Sequence, residues 1–131
     1  MMQIDNQKII EIAESILCSE DLVDHEWDVM AAVFDVSDSH TANSGFLYYN
    51  DDSLPISVGI EDDPIRLSNQ VKELREQIYQ QTGSKFKQLL VQMKKETGQI
   101  KIQFEFDDPQ RWSFSPKNLA TIKEELRPDF S

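Results

Sequence analysis

Two segments of alternating apolar residues flank a turn in the second half of this chain. Leu89, Val91 and Met93 recur at every second position, and beyond Thr97-Gly98 so do Ile100, Ile102, Phe104 and Phe106. Alternation places such residues on one side of a pleated strand, and a glycine-containing break between two runs of this kind marks a β-hairpin. A two-residue turn pairs Met93 with Ile102, Val91 with Phe104 and Leu89 with Phe106, each pair apolar and on one face. A hairpin with one apolar face is not stable alone in water, so the rest of the chain must cover it.

The cover is written as helices. Ile9, Ile10, Ala13, Ile16 and Leu17 predict an amphipathic helix over roughly 3–18, ending near Ser19. Leu67, Val71, Leu74 and Ile78, spaced four, three and four, predict a second helix, with Ser68 or Asp63 as candidate caps and Gly83 at its end. Ser115 and Pro116 open a short third helix through Leu119, Ile122 and Leu126, which stops before Pro128. Between the first two helices lie three strands. Trp27–Val36 is apolar and β-compatible, 37–45 is a polar loop, Phe46–Tyr49 is a short strand, and after the turn 50–53 the alternation Leu54, Ile56, Val58, Ile60 gives another. Pro55 marks that last strand as an edge or an irregular start. The expected order is α-β-β-β-α-β-β-α: one α+β domain over 1–131, with an antiparallel sheet packed by helices.

Charge is divided unevenly along this frame. Lys8 is the sole basic residue of positions 1–65 and stands against fifteen carboxylates, a net −14, whereas 66–131 holds twelve basic and nine acidic residues, a net +3. The total of −11 disfavours phosphate backbones and anionic lipid, whose binding needs Lys and Arg, so neither nucleic acid nor membrane is expected as a partner. A self-repelling acidic half suits solubility or a basic partner. If Tyr49 pairs with Leu54 and Leu47 with Ile56, these face the core while Phe46 and Tyr48 point the other way. Strand polarity then gathers Asp24, Glu26, Asp28, Asp51 and Asp52 at one end of the three strands, and Asp35, Asp38, Glu61, Asp62 and Asp63 at the other. The expected partner-binding residues are Asp35, Asp38, Phe46, Tyr48, Asp51, Asp52, Glu61, Asp62 and Asp63: aromatic anchors ringed by charge.

Catalytic and metal-binding patterns are missing from the sequence. His25 and His40 fall in no nucleophile or zinc arrangement, and Cys18, beside Leu17 with no basic neighbour, reads as a buried thiol. The pairs Asp51-Asp52, Asp62-Asp63 and Asp107-Asp108 lack the spacing of a calcium loop, and no Gly-rich phosphate cradle occurs among four glycines. No metal, cofactor or enzymatic activity is expected. In Asp107-Asp-Pro-Gln-Arg-Trp112 a clasp is expected, with Arg111 on Asp107 or Asp108 and Trp112 under the last helix. The lysines at 85, 87, 94, 95 and 101 read as the solvated face of the hairpin, where they also discourage edge pairing. The N-terminal stretch has neither a basic n-region nor an uninterrupted apolar run, so the expected location is the cytoplasm.

Several of these features together resemble the YezG-like immunity or antitoxin family of bacterial polymorphic toxin systems. They are the N-terminal helix, Trp27 opening the first strand, Gly45-Phe-Leu-Tyr-Tyr49, and the long middle helix. The hairpin strand Gly98-Gln-Ile-Lys-Ile-Gln-Phe-Glu-Phe-Asp-Asp108, Pro109-Gln-Arg-Trp112 and Glu-Glu-Leu-Arg-Pro128 complete the set. Phe106 departs from the tyrosine expected before the acidic pair. The resemblance implies a non-enzymatic inhibitor that binds a cognate toxin domain, with a basic nuclease among the expected targets. A small acidic secretion chaperone of the type III kind, with the same element order, is the alternative.

Overall fold

The computed structural model describes residues 6–37, 41–59, 62–113 and 115–130. Asp38, His40, Ile60 and Glu61, together with the expected start of the first helix, lie outside them. The chain runs through α1 (Asn6–Leu17), α2 (Glu20–Asp24), β1 (Val29–Val36), β2 (Thr41–Tyr49), β3 (Asp52–Ile56), α3 (Arg66–Thr82), β4 (Gln88–Lys94), β5 (Ile100–Glu105) and α4 (Leu119–Glu125). This is the expected α+β order with one added helical turn, α2. All strand neighbours are antiparallel, in the order β3-β2-β1-β4-β5.

Each face of the sheet has its own core. Met30, Ala32, Phe34 and Val36 of β1, Leu47, Ile56, and Leu89, Val91 and Met93 of β4 form one layer, packed with Ile12, Ala13 and Ile16 of α1 and Leu67, Val71, Leu74 and Ile78 of α3. The other layer holds Ala31, Val33, Phe46, Tyr48 and Leu90 under Trp112, Ile122 and Leu126. Covered on both sides, β1 and β4 are the strands buried along nearly their whole length. For α3, packing outweighs capping: its N-cap makes no side-chain hydrogen bond. Burial of its four apolar residues contributes about 6–12 kcal/mol before entropy, against about 1 kcal/mol for a good cap. Gly83 closes the helix in the left-handed region at φ 76, its N–H donating to the Tyr79 carbonyl at 2.8 Å.

Both expected hairpin registers are displaced by two residues. Leu47 pairs with Leu54 and Tyr49 with Asp52, because Asn50, at φ 54, and Asp51 make a two-residue turn. Met93 pairs with Ile100, Val91 with Ile102 and Leu89 with Phe104, because 95–98 forms a four-residue loop with Gly98 at φ 73. An even slip keeps every side chain on its face, so the alternation fixed the faces without fixing the turns. Tyr49 and Leu54, expected in the core, lie past the reach of α1 and α3 and are 41% and 39% exposed. Strand β2 begins at Thr41, in the expected polar loop. Asn43 explains the extension: its side-chain amide donates to the Val58 carbonyl at 2.9 Å and accepts from the Val58 N–H at 2.8 Å. At Gly45 a Cβ would come within 2.3 Å of the Ala31 carbonyl oxygen, so only glycine allows β2 to approach β1 there. The last helix starts later than expected, since Asn118 Oδ1 accepts the Ser115 N–H at 2.7 Å and closes a turn first. Leu119 is exposed instead of core-facing, and so is Cys18.

Candidate interaction surface

The expected Phe46/Tyr48 patch is not at the surface. Both side chains point away from Leu47 as expected, but each is only 1% exposed, because Trp112 and α4 cover that face. Polar groups fix the cover in place. The Tyr48 hydroxyl donates to the Lys123 carbonyl at 2.7 Å, and Gln92 Nε2 donates to the Leu126 carbonyl at 2.9 Å. Burial pushes the Tyr48 phenol well above its ordinary range, against the opposing influence of Arg127, whose guanidinium lies 4.6 Å over the ring. The fully buried Gln88 donates to Asp35 at 2.6 Å and to Ser113 Oγ at 3.2 Å, and accepts the Trp112 N–H at 2.9 Å. Asp35 is therefore a half-buried anchor of the clasp, not an open partner-binding carboxylate. Arg111 lies 4.8 Å over Trp112 as part of the same clasp, but it pairs with Glu105 at 2.9 Å and not with Asp107 or Asp108.

Surface carboxylates collect at the end of the sheet where β1 begins. Asp28 accepts the Asn50 N–H at 2.9 Å and so pins the β2–β3 turn, leaving Asp51 and Asp52 exposed beside it, with Asp24 and Glu26 exposed nearby in sequence. A hydrogen bond to Glu26 raises the Tyr49 phenol pKa. Tyr49 is thus the exposed aromatic bordered by carboxylates, with Leu54 on the same sheet face. The β4–β5 loop brings Lys95 to this end, its Nζ 5.6 Å over the Trp27 ring and its N–H on the Asp28 carbonyl at 3.0 Å. At the opposite end Asp62 is exposed, while Asp63 pairs with Arg66 at 3.0 Å and holds the start of α3. The two ends therefore differ: of the second set, Asp62 alone among the described residues is an exposed carboxylate without a structural task.

Alternation puts Tyr49 on the core face with Leu47, and the slip of two leaves it there. What sequence reasoning missed is its place as the last residue of β2, next to the turn, where it is exposed. The Asn50-Asp51 pair was the available signal, since Asn tolerates the left-handed conformation that a two-residue turn requires. His25 is exposed, with Nδ1 2.8 Å from the Asp21 carbonyl. Among the described residues no group of three or more His, Cys, Asp and Glu is placed to hold a metal, and no helix is long and apolar enough to cross a membrane. No family model matches the chain, and no curated protein matches it.

Proposed function

We propose that this protein is a non-enzymatic, cytoplasmic immunity-type inhibitor that binds a basic toxin domain through its acidic half. Binding would centre on the Glu26, Tyr49, Asp51 and Asp52 end of the sheet. One observation carries the reading. The carboxylates of the second half lie among twelve basic residues, and three of these carboxylates are paired within the molecule, Glu73 with Lys8, Glu105 with Arg111 and Glu124 with Arg127. Asp24, Asp51, Asp52 and Asp62, by contrast, project into solvent from a half whose sole base is Lys8. An uncompensated field of this kind steers a cationic partner, and an aromatic side chain at its centre supplies area that becomes dry on contact. The sequence resemblance to YezG-like immunity proteins supports the same class, and neither argument calls for a cofactor.

The test is the association rate with a basic toxin domain encoded next to this gene, measured against ionic strength. A steered complex loses on-rate as the Debye length shortens from about 30 Å at 0.01 M to about 8 Å at 0.15 M salt. An on-rate indifferent to salt removes the acidic mechanism. Capture of an unfolded effector segment in place of a folded basic domain would instead favour the secretion-chaperone reading.

A further inference from the structure

The two outer strands of the sheet are finished differently. Antiparallel hydrogen bonding alternates along a strand, so one bond identifies which residues face which neighbour. The bond from Val36 N–H to the Lys87 carbonyl sets the β1–β4 phase, which by alternation aims the main-chain polar groups of Ser53 and Pro55 out of the β3 edge. That edge is blunted. Pro55 has no N–H, the next outward N–H, of Ser57, donates to Asp21, and Asp51 and Asp52 charge the adjoining turn.

At the other edge, the bond from Lys94 N–H to the Gln99 carbonyl turns Lys101, Gln103 and Glu105 inward to β4. Ile100, Ile102 and Phe104 direct their main-chain N–H and C=O outward. Neither proline nor glycine interrupts β5, and its side chains are self-complementary. We propose that β5 pairs antiparallel with β5 of a second copy about a two-fold axis at Gln103, joining two sheets edge to edge. Ile102 then faces Phe104 of the second copy, and both point their polar groups across the seam, as a hydrogen-bonded pair requires. On the α4 side of the sheet, Lys101 faces Glu105 of the second copy and Glu105 faces Lys101.

Only this register makes both contacts. A slip of one residue sets inward groups against outward ones. A slip of two opposes Lys101 to Gln103 or to Asp107, which lies beyond the strand, and in neither case to Glu105. Glu105 is already oriented by the N–H groups of Asp107 and Asp108 at 3.0 and 3.1 Å and by Arg111 at 2.9 Å, so Lys101 of the second copy would join an existing pair. Lys101 donates to the Asp129 carbonyl and keeps further donors for a carboxylate. The lysine expected to discourage edge pairing thus acts by selection, opposing a like charge in other registers and meeting Glu105 in this one. Charge distribution favours the same edge. Two chains of net −11 repel least where the half of net +3 faces its copy, and the carboxylates beside the β3 edge then sit at the far ends.

Sedimentation of the full chain over about 1–500 µM tests this pairing, with the weight-average mass expected to climb from 15.2 kDa towards twice that value. Ile102→Pro removes an outward N–H and no bond to β4, and it should leave a folded monomer throughout. Lys101→Glu, an exposed change that decides the matter if the proline variant unfolds, sets like charges opposite each other twice. It should weaken the dimer about tenfold. Asp51→Lys, near the other edge, should dimerise normally. A wild type that stays at 15.2 kDa throughout, or a Lys101→Glu variant that dimerises as the wild type does, overturns the proposal.

Discussion

Tyr48 carries two jobs in one side chain. Its ring fills the space under α4, and its hydroxyl meets the Lys123 carbonyl at 2.7 Å, near the end of that helix where carbonyls run short of partners. Burial raises its pKa, so the folded chain holds the phenolic proton at a pH where an unfolded tyrosine, near 10, releases it. The resulting stability is complete below pH 10 and is lost as pH rises towards the folded value. Tyr48→Phe should cost about 1 kcal/mol at neutral pH through the lost hydrogen bond. Its deficit relative to the wild type should shrink above pH 10, because phenylalanine has no proton to lose. Urea midpoints at pH 8 and pH 11 measure both effects, and a deficit that is constant with pH would show that the hydroxyl is not held protonated by the fold.

Helix α4 is too short to be stable by propensity, so its order must come from the sheet beneath it. Ile122 and Leu126 are its buried contacts, and Tyr48, Gln88 and Gln92 provide the polar seats for the helix and for the Trp112 clasp. Ile122→Ala should destabilise the protein by about 2–4 kcal/mol in urea unfolding. It should also raise binding of a hydrophobic dye as the face of Phe46 and Tyr48 becomes accessible, whereas a loss below about 0.5 kcal/mol would mean that α4 is an appendage. These elements also show what could be read from the chain. The spacing of Leu67, Val71, Leu74 and Ile78 gave α3 its inner face, and alternation gave the hairpin strands theirs, because periodicity encodes direction. It does not encode which side of a sheet a later helix will cover. Phe46 and Tyr48 therefore passed for a surface patch, although Gln88 and Gln92, polar residues inside an otherwise apolar strand, hinted at backbone to be satisfied above them. Turn lengths were unreadable for a related reason: a slip of two leaves the apolar pattern intact, so only the φ demands of Asn50 and Gly98 distinguish the registers.

At the scale of the whole molecule the acidic half is a cost that the fold tolerates. Self-repulsion among carboxylates weakens the compact state, most strongly at low salt where the Debye length exceeds the spacing of the charges. Replacing Asp51 and Asp52 by lysine changes the net charge by +4, from −11 to −7, at two exposed positions in a turn whose shape is held by Asp28 and Asn50. The double variant should therefore be no less stable than the wild type, and more stable at 0.01 M than at 0.15 M salt by comparison with it. Reversing Asp63 would be a poorer test, since it would also break the pair with Arg66 that anchors the start of α3. If this end of the sheet steers a basic partner, the same double variant should associate more slowly by about tenfold or more at low salt, with the difference narrowing as salt is added. Dissociation should change less, unless Asp51 or Asp52 is buried in the complex. Stability gained with association unchanged would mean that the carboxylates serve solubility alone. Stability gained with association slowed would mean that the chain keeps a destabilising field because its partner responds to it.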